Sequence, residues 1–224
     1  MSTEEVDKLL NAHSLVALPA GCLLEISSLT ERDGQQGKYG VASYATTLPN
    51  GERRSGRVNL STNIMAQPTV SAPCVLFYQG SKTSKNGRTF YDASAIKAPE
   101  TCDKETLKSM ADGLRQLSKR ALIARMTTQS LESFPSNTVF LFKDLTKRRL
   151  RKDNEPALVV SYETEVGGET LEGNLIVPAR VEGEIRECGN RGILIFRGRK
   201  TSQNGRVYND VRVVNLEAMD EMNI

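Results

Sequence analysis

The 224-residue chain reads as a mainly β protein built from two tandem copies of one module, on three observations. The stretch 78–92, Tyr-Gln-Gly-Ser-Lys-Thr-Ser-Lys-Asn-Gly-Arg-Thr-Phe-Tyr-Asp, returns over 196–210 as Phe-Arg-Gly-Arg-Lys-Thr-Ser-Gln-Asn-Gly-Arg-Val-Tyr-Asn-Asp. Val41-Ala42-Ser43-Tyr44-Ala45-Thr46 returns in the same register as Val159-Val160-Ser161-Tyr162-Glu163-Thr164, and two matches at one displacement mark an internal duplication. Around both copies, short alternating segments are bounded by Gly, Asn and Pro, the pattern of strands joined by tight turns.

Taken in order, residues 1–20 form an amphipathic lead with Val6, Leu9 and Leu10 as its apolar face. Its end, Ser14-Leu15-Val16-Ala17-Leu18-Pro19, has an echo in Ser130-Leu131-Glu132-Ser133-Phe134-Pro135. Strands are then expected at 22–27, 39–47, 53–61, 74–82 and 88–96, with a polar loop over 30–37 and a short helix within 62–72. Asn50-Gly51 and Asn86-Gly87 are expected to turn hairpins, because Asn-Gly readily takes the positive φ of a two-residue connection. The second copy repeats the order at 138–144, 158–166, 170–177, 193–200 and 206–214, with Gly167-Gly168 as its hairpin turn.

Between the copies, Leu107, Met110, Ala111, Leu114, Leu117, Ala121 and Leu122 recur at spacings of three and four. This predicts one amphipathic helix from Asp103, its N-cap, to Met126. The domain plan is therefore a first module over 1–100, a helical linker over 101–129 and a second module over 130–224.

Composition narrows the function. The net charge is +3 and the hydrophobic fraction 38%, and no apolar run approaches the roughly 20 residues of a membrane span. The N-terminus is acidic, unlike a secretory signal or presequence, which points to an intracellular protein of a cell or a virus-infected cell. Cys22, Cys74, Cys102 and Cys188 lack C-x-x-C spacing, and His13 is the single histidine, so no metal or other cofactor is expected and the thiols read as buried and reduced. Gly80-Ser81-Lys82-Thr83 lacks the glycine pattern of a Walker loop. With His13 in the lead and no recurring carboxylate pair, no enzyme activity is expected.

Three antiparallel strands, an irregular or helical insertion and a final hairpin is the order of an OB-fold, a five-stranded Greek-key barrel that binds oligonucleotides through one face and two loops. Over 21–96 and 138–214 the chain resembles tandem OB-fold single-stranded DNA-binding proteins of the replication-protein-A-like or viral kind. The resemblance implies two barrels joined by the helix, single-stranded DNA as partner, with RNA as the alternative, and a role in replication, recombination or repair. A scaffold of duplicated barrels that engages other proteins is the reading from a different class.

Candidate binding residues follow from position. Phe90 and Tyr208 sit on the otherwise polar parity of strand five, with Asp92, Ser94, Asp210 and Arg212. Each ring is either a stacking platform for a base, or a cover for the barrel end or a side chain packed on the linker helix. Lys82, Lys85 and Arg88 in the first copy, and Arg197, Arg199, Lys200 and Arg206 in the second, cluster at the repeated hairpin. The basic run Lys147, Arg148, Arg149, Arg151 and Lys152 falls at the other OB binding loop, and Arg53 and Arg57 lie on strand three of the first copy. Such residues would grip phosphates without reading sequence. Tyr44 and Tyr162 read as core with the hydroxyl at a rim. The acidic C-terminus from Met219 to Ile224 is similar to tails that recruit replication proteins, and reads alternatively as a helix capping the second barrel.

Overall fold

In a computed structural model, the structure describes residues 14–34, 37–67, 69–87, 89–149 and 156–216. The chain divides into two compact units, Met1–Leu117 and Ser118–Ile224. In each, the same anchored lead precedes the first long strand. Leu15–Ala17 form a single 3-10 turn, with Ser14 Oγ accepting from the Val16 N–H; Leu131–Ser133 form its counterpart. Leu15 and Leu131 are buried. Gly21 (φ 91°) and Asn137 (φ 67°) then turn the chain into the first strand of each unit, through left-handed backbone that glycine and asparagine tolerate best.

Unit 1 contains β1 (Leu23–Gly34), β2 (Gly37–Thr47), β3 (Arg53–Leu60), α1 (Thr62–Met65), β4 (Cys74–Thr83) and β5 (Thr89–Lys97). Its strands lie in the order β3-β2-β1-β4-β5, the expected meander, insertion and hairpin, with every pair antiparallel. Leu24, Ile26, Tyr44, Val58, Leu76 and Tyr78 belong to its core. Among the described residues β3 and β5 do not pair; a parallel bridge from Ser14 to Asn59 lies against β3 instead.

α2 (Lys104–Arg115) closes unit 1 and α3 (Lys119–Met126) opens unit 2. The single helix expected over 103–126 is thus two. Asp103 caps the first as expected, accepting from the Thr106 N–H at 2.7 Å. Ser118 starts a second helix by accepting from the Ala121 N–H at 3.1 Å, and such a cap stabilises a new N-terminus by about 1 kcal/mol. No helix among the described residues is long and apolar enough to cross a membrane.

Unit 2 repeats the plan with β7 (Thr138–Arg149), β8 (Pro156–Val166), β9 (Glu169–Ile176), β10 (Gly192–Thr201) and β11 (Val207–Asn215). A sixth strand, β6 (Thr128–Ser130), pairs in parallel with β9, so both leads meet the same edge. Between β9 and β10 lies α4 (Glu182–Cys188), which the sequence pattern did not single out.

Four local expectations change. Residues 30–34 and Gly37, expected as loop, are strand: β1 and β2 continue as a ribbon to Gly34 opposite Gly37, supported by a Lys38–Glu31 ion pair at 2.5 Å. The Asn50-Gly51 turn has three residues, Pro49 to Gly51. The Gly51 N–H donates to Leu48 O and the Leu48 N–H to Glu52 O, a type I turn with Pro at its favoured position and a left-handed Gly51. Tyr44 and Tyr162 are core, but the Tyr162 hydroxyl reaches no rim: it is buried without a hydrogen-bond partner, and burial pushes its pKa well up. Cys22 and Cys74 are buried, whereas Cys102 and Cys188 are half-buried.

Two stability outcomes follow. A Cβ on Gly173 would stand 2.1 Å from the Ala124 carbonyl oxygen of α3, whereas one on Gly113 meets open space. Gly173→Ala is expected to cost about 1–3 kcal/mol through forced backbone displacement, while Gly113→Ala stabilises α2 by up to about 1 kcal/mol; calorimetry of the two variants reads opposite shifts in Tm. Tyr162→Phe removes an unsatisfied hydroxyl whose burial costs about 1–3 kcal/mol. Chemical denaturation should find that variant at least as stable as the parent, and a clear loss would mean the hydroxyl has a partner.

Candidate nucleic-acid interface

In unit 1 the β1–β2 ribbon, α1 and the β4–β5 hairpin enclose an open groove of about 770 Å³, lined among others by Tyr39, Asn63, Ser84, Phe90 and Tyr91. The hairpin tip explains why Asn-Gly recurs. The Gly87 N–H donates to Ser84 O and the Gly205 N–H to Ser202 O, and both glycines have φ of 74°. Each tip is therefore a tight turn closed by a left-handed glycine. Lys85 is exposed at the first tip.

Phe90 and Tyr208 occupy the same register position, opposite Lys82 and Lys200, and each is 40% exposed. Lys82 pairs with Asp92, and Lys200 with Asp210 at 2.7 Å. The duplicated aspartates thus pair across the hairpin with the duplicated lysines. The Lys200 hydrogen bond holds the Asp210 carboxyl below the usual carboxylate range, with Arg197 and Arg180 adding to the effect. Ser94 does not share the exposure of its parity: it is buried, with Gln79 Nε2 donating to its Oγ at 3.3 Å.

The two rings differ in surroundings. Phe90 lines the open groove, whereas the Arg180 guanidinium lies 5.6 Å from the Tyr208 ring centroid and donates to Asn209 O at 2.5 Å. Arg180 sits in the 3-10 turn Ala179–Val181 just before α4, and a cation over a tyrosine face is a favourable contact.

The other basic residues are placed unevenly. Arg199 faces Glu132 at 3.7 Å, while Arg197, in the bulge between Phe196 and Gly198, and Arg206 are exposed. Lys147 is exposed near the end of β7, and the strand runs on through Arg148 and Arg149 opposite Ala157 and Pro156, so this part of the basic run is ribbon where a loop was expected. Arg53 is engaged by the buried Glu25 through two hydrogen bonds of 3.2 and 2.6 Å. Arg57 is exposed on β3 and borders a different recess, beside Ser43 and Ser55. Arg88, Arg151, Lys152, His13, the apolar face Val6, Leu9 and Leu10 of the lead and the C-terminal tail from Met219 lie outside the described residues.

Sequence reasoning missed Tyr39, Tyr91 and Arg180. Tyr39 opens β2 opposite Arg32, and its ring would lie 3.1 Å from a Cβ on Gly34. An aromatic next to a glycine across a hairpin was the available signal. Tyr91 has its ring centroid 6.5 Å from that of Tyr78, so it joins the core to the groove. Nothing in the sequence marks Arg180, which depends on the unforeseen turn before α4.

No protein-family model and no curated protein matches the chain. Among solved structures, it is similar to a replication protein A heterotrimer bound to single-stranded DNA, at 10% identity and a TM-score of 0.20 over 86% of this chain. The chain spans 47% of that protein's matched chain. It is also similar to a murine DNA-binding protein bound with double-stranded DNA, at 10% identity and a TM-score of 0.20, covering 86% of this chain and 97% of that one. Superpositions this loose transfer nothing to the chain, and its reading rests on its own residues.

The Lys200–Asp210 pair gives a titration with a definite sign. A carboxyl held low in the folded state contributes stability at neutral pH that is lost as pH falls through the depressed value. Lys200→Met should move the Asp210 carboxyl back toward the ordinary range, so that this contribution disappears at a higher pH. Carboxyl-carbon NMR titration of both proteins reads the shift, and an unchanged Asp210 curve would show that Arg197 and Arg180 suffice.

Proposed function

We propose that the chain is a non-catalytic protein that binds single-stranded nucleic acid, DNA before RNA, with little sequence preference, in replication, recombination or repair. The observation that carries this reading is the unit 1 groove: an exposed Phe90 beside Tyr39 and Tyr91, bordered by a hairpin with Lys82 and Lys85 at its end. A base stacks on an aromatic face whatever its identity, at about 1–3 kcal/mol per base. Exposed lysines along the same hairpin neutralise phosphates without reading sequence. In unit 2, Tyr208 and Lys200 are the counterparts of Phe90 and Lys82, Gln203 stands where unit 1 has Lys85, and Arg197 adds a cation where unit 1 has Gln79. DNA is preferred over RNA on the resemblance alone, so matched oligomers of the two belong in the experiment.

Fluorescence anisotropy with labelled oligo-dT tests the reading. Binding at low salt should weaken as salt rises, with log K falling by about 0.7 per neutralised phosphate against log salt. Phe90→Ala should weaken binding by roughly 5- to 150-fold, the equivalent of about 1–3 kcal/mol, and more than Tyr208→Ala, because Arg180 already occupies one face of Tyr208. Lys85→Glu should weaken binding and flatten the salt slope. Absence of binding at low salt, or an affinity indifferent to salt, would remove the proposal.

A further inference from the structure

Unit 2 leaves open an apolar surface that unit 1 covers. In the β7–β10 ladder, Val139 stands opposite Ile195 and Leu141 opposite Ile193. Val139 is 47% exposed and Leu141 40%, and the two isoleucines are half-buried. The corresponding pairs of unit 1 are Leu23 with Phe77 and Glu25 with Val75, and all four are buried. The difference is α2, which packs on β1 and β4 with Leu107, Ala111 and Leu114 as its buried residues. Its last side chain, Arg115, donates to Leu23 O at 3.2 Å and faces Glu25 at 3.6 Å. Among the described residues no helix packs across β7 and β10 in this way.

The duplication therefore indicates what such a surface accommodates, and charge indicates how the occupant differs. Glu25 has become Leu141, so the strand carboxylate that Arg115 meets in unit 1 has been replaced by apolar surface. The carboxylates of unit 2 lie one strand over. Glu163 is opposite Leu141 on β8, and Glu165, two residues on and hence on the same side of the strand, is exposed. Glu163 already shares Lys143 with Glu172, at 2.5 and 2.9 Å, which leaves Glu165 as the outer carboxylate of this flank.

We propose that the Val139, Leu141, Ile193 and Ile195 face of unit 2 is a docking site for an amphipathic α-helix of a partner protein. Its apolar side chains fall at i, i+4 and i+7, as Leu107, Ala111 and Leu114 do in α2, and its basic side chains lie on the flank that meets Glu163 and Glu165. An apolar sheet surface rimmed by charge is a recognised mark of an interaction site, and a helix laying one face on an apolar surface is a recurrent mode of recognition. This proposal is independent of nucleic-acid binding, since none of these residues lines the groove or the hairpin tips.

The probe is a helix-stapled, labelled peptide with the sequence of residues 103–117, titrated into the full chain. Saturable binding is expected, with shifts in the NMR methyl signals of Val139, Leu141, Ile193 and Ile195 and none at Leu23 or Val75. Leu141→Asp should weaken binding at least about tenfold, because a charge would be buried under the helix; Val139→Gln is a milder change at the same surface and should weaken it in the same direction. Glu165→Lys should weaken it further at low salt than at high salt. Thermal melts of each variant verify folding. The proposal is overturned by absence of saturable binding at about 1 mM peptide, or by binding that survives both apolar-face substitutions in folded protein. It is equally overturned by a parent dimer in sedimentation that Leu141→Asp dissociates, which would assign the face to a second copy of the chain.

Discussion

Both units depend on a first strand that is hydrogen-bonded along both edges, and only for part of its length. β1 pairs with β4 over Leu23 to Ile26 and with β2 from Leu24 onward; β7 pairs with β10 over Thr138 to Leu141 and with β8 from Leu141 onward. Where the second neighbour is lost, the register slips: between Ile26 and Ser28, and between Phe142 and Asp144. The partner strands slip at the matching place, between Tyr78 and Gly80 and between Phe196 and Gly198. A bulge bends its strand and increases the local twist, so each two-stranded ribbon leaves the sheet at a place set by the central ladder. Gly80 and Gly198 carry φ of 110° and 108°, and a Cβ on Gly198 would meet Ser136 Oγ at 2.5 Å. The glycines are fixed both by backbone angle and by the close approach of the lead segment. The groove of unit 1 is the space these departures create.

The copies share a backbone plan and differ in how they finish the outer side. Unit 1 buries Glu25 between Arg53 and Arg115, and the Glu25 hydrogen bond pushes the Arg53 guanidinium further up. A buried carboxylate with two cationic partners is costly to break and contributes little net stability relative to apolar packing. Its consequence here is positional: it joins β1 to β3 and to the end of α2. Unit 2 has Leu141 at the equivalent place and nothing described to pack on it. Its acidic residues are drawn instead into a surface network in which Lys143 and Arg125 both reach Glu172 at 2.9 Å, and Lys143 holds the Glu172 carboxyl low. Exposed networks of this kind are worth little each. Duplication preserved the ladder and left the outer face free to diverge.

The features legible in the sequence were those fixed by local backbone chemistry. The strand order, the repeated tips and the Asp103 cap depend on Gly, Asn, Pro and capping side chains whose preferences act within a few residues. What escaped depended on longer range. A stripe of leucines runs through both α2 and α3, so periodicity saw one helix, and the division at Ser118 came from a cap that competes with continuation. The ribbon ends over 30–34 and at Gly37 look like a loop because their residues are polar, but a two-stranded ribbon with both sides in solvent needs no apolar alternation. At the candidate site, Phe90 and Tyr208 were visible as aromatics on a polar parity. Arg180 was not, since its contact with Tyr208 joins residues 28 positions apart through a turn with no sequence signal.

The lysine and aspartate pairs beside the two rings bear on how a strand would lie under the proposed function. The lysine ends of these pairs are exposed, whereas the carboxylates are largely covered, at 26% exposure for Asp92 and 16% for Asp210. A phosphate competing for Lys82 or Lys200 would therefore leave a partly buried carboxylate without its partner, at a cost above that of a fully exposed pair. Asp92 and Asp210 remain beside the rings after such an exchange, and a carboxylate repels phosphate. Under the proposed function the ring position would favour the uncharged part of a nucleotide, its base, while phosphates would be drawn outward toward Lys85 on the first tip and toward Arg197 and Arg206 in unit 2. Charge of one sign along the whole hairpin would bind backbone anywhere. Alternating it with a carboxylate next to an aromatic would separate phosphate from base without reading any base edge, the discrimination that the proposed function requires.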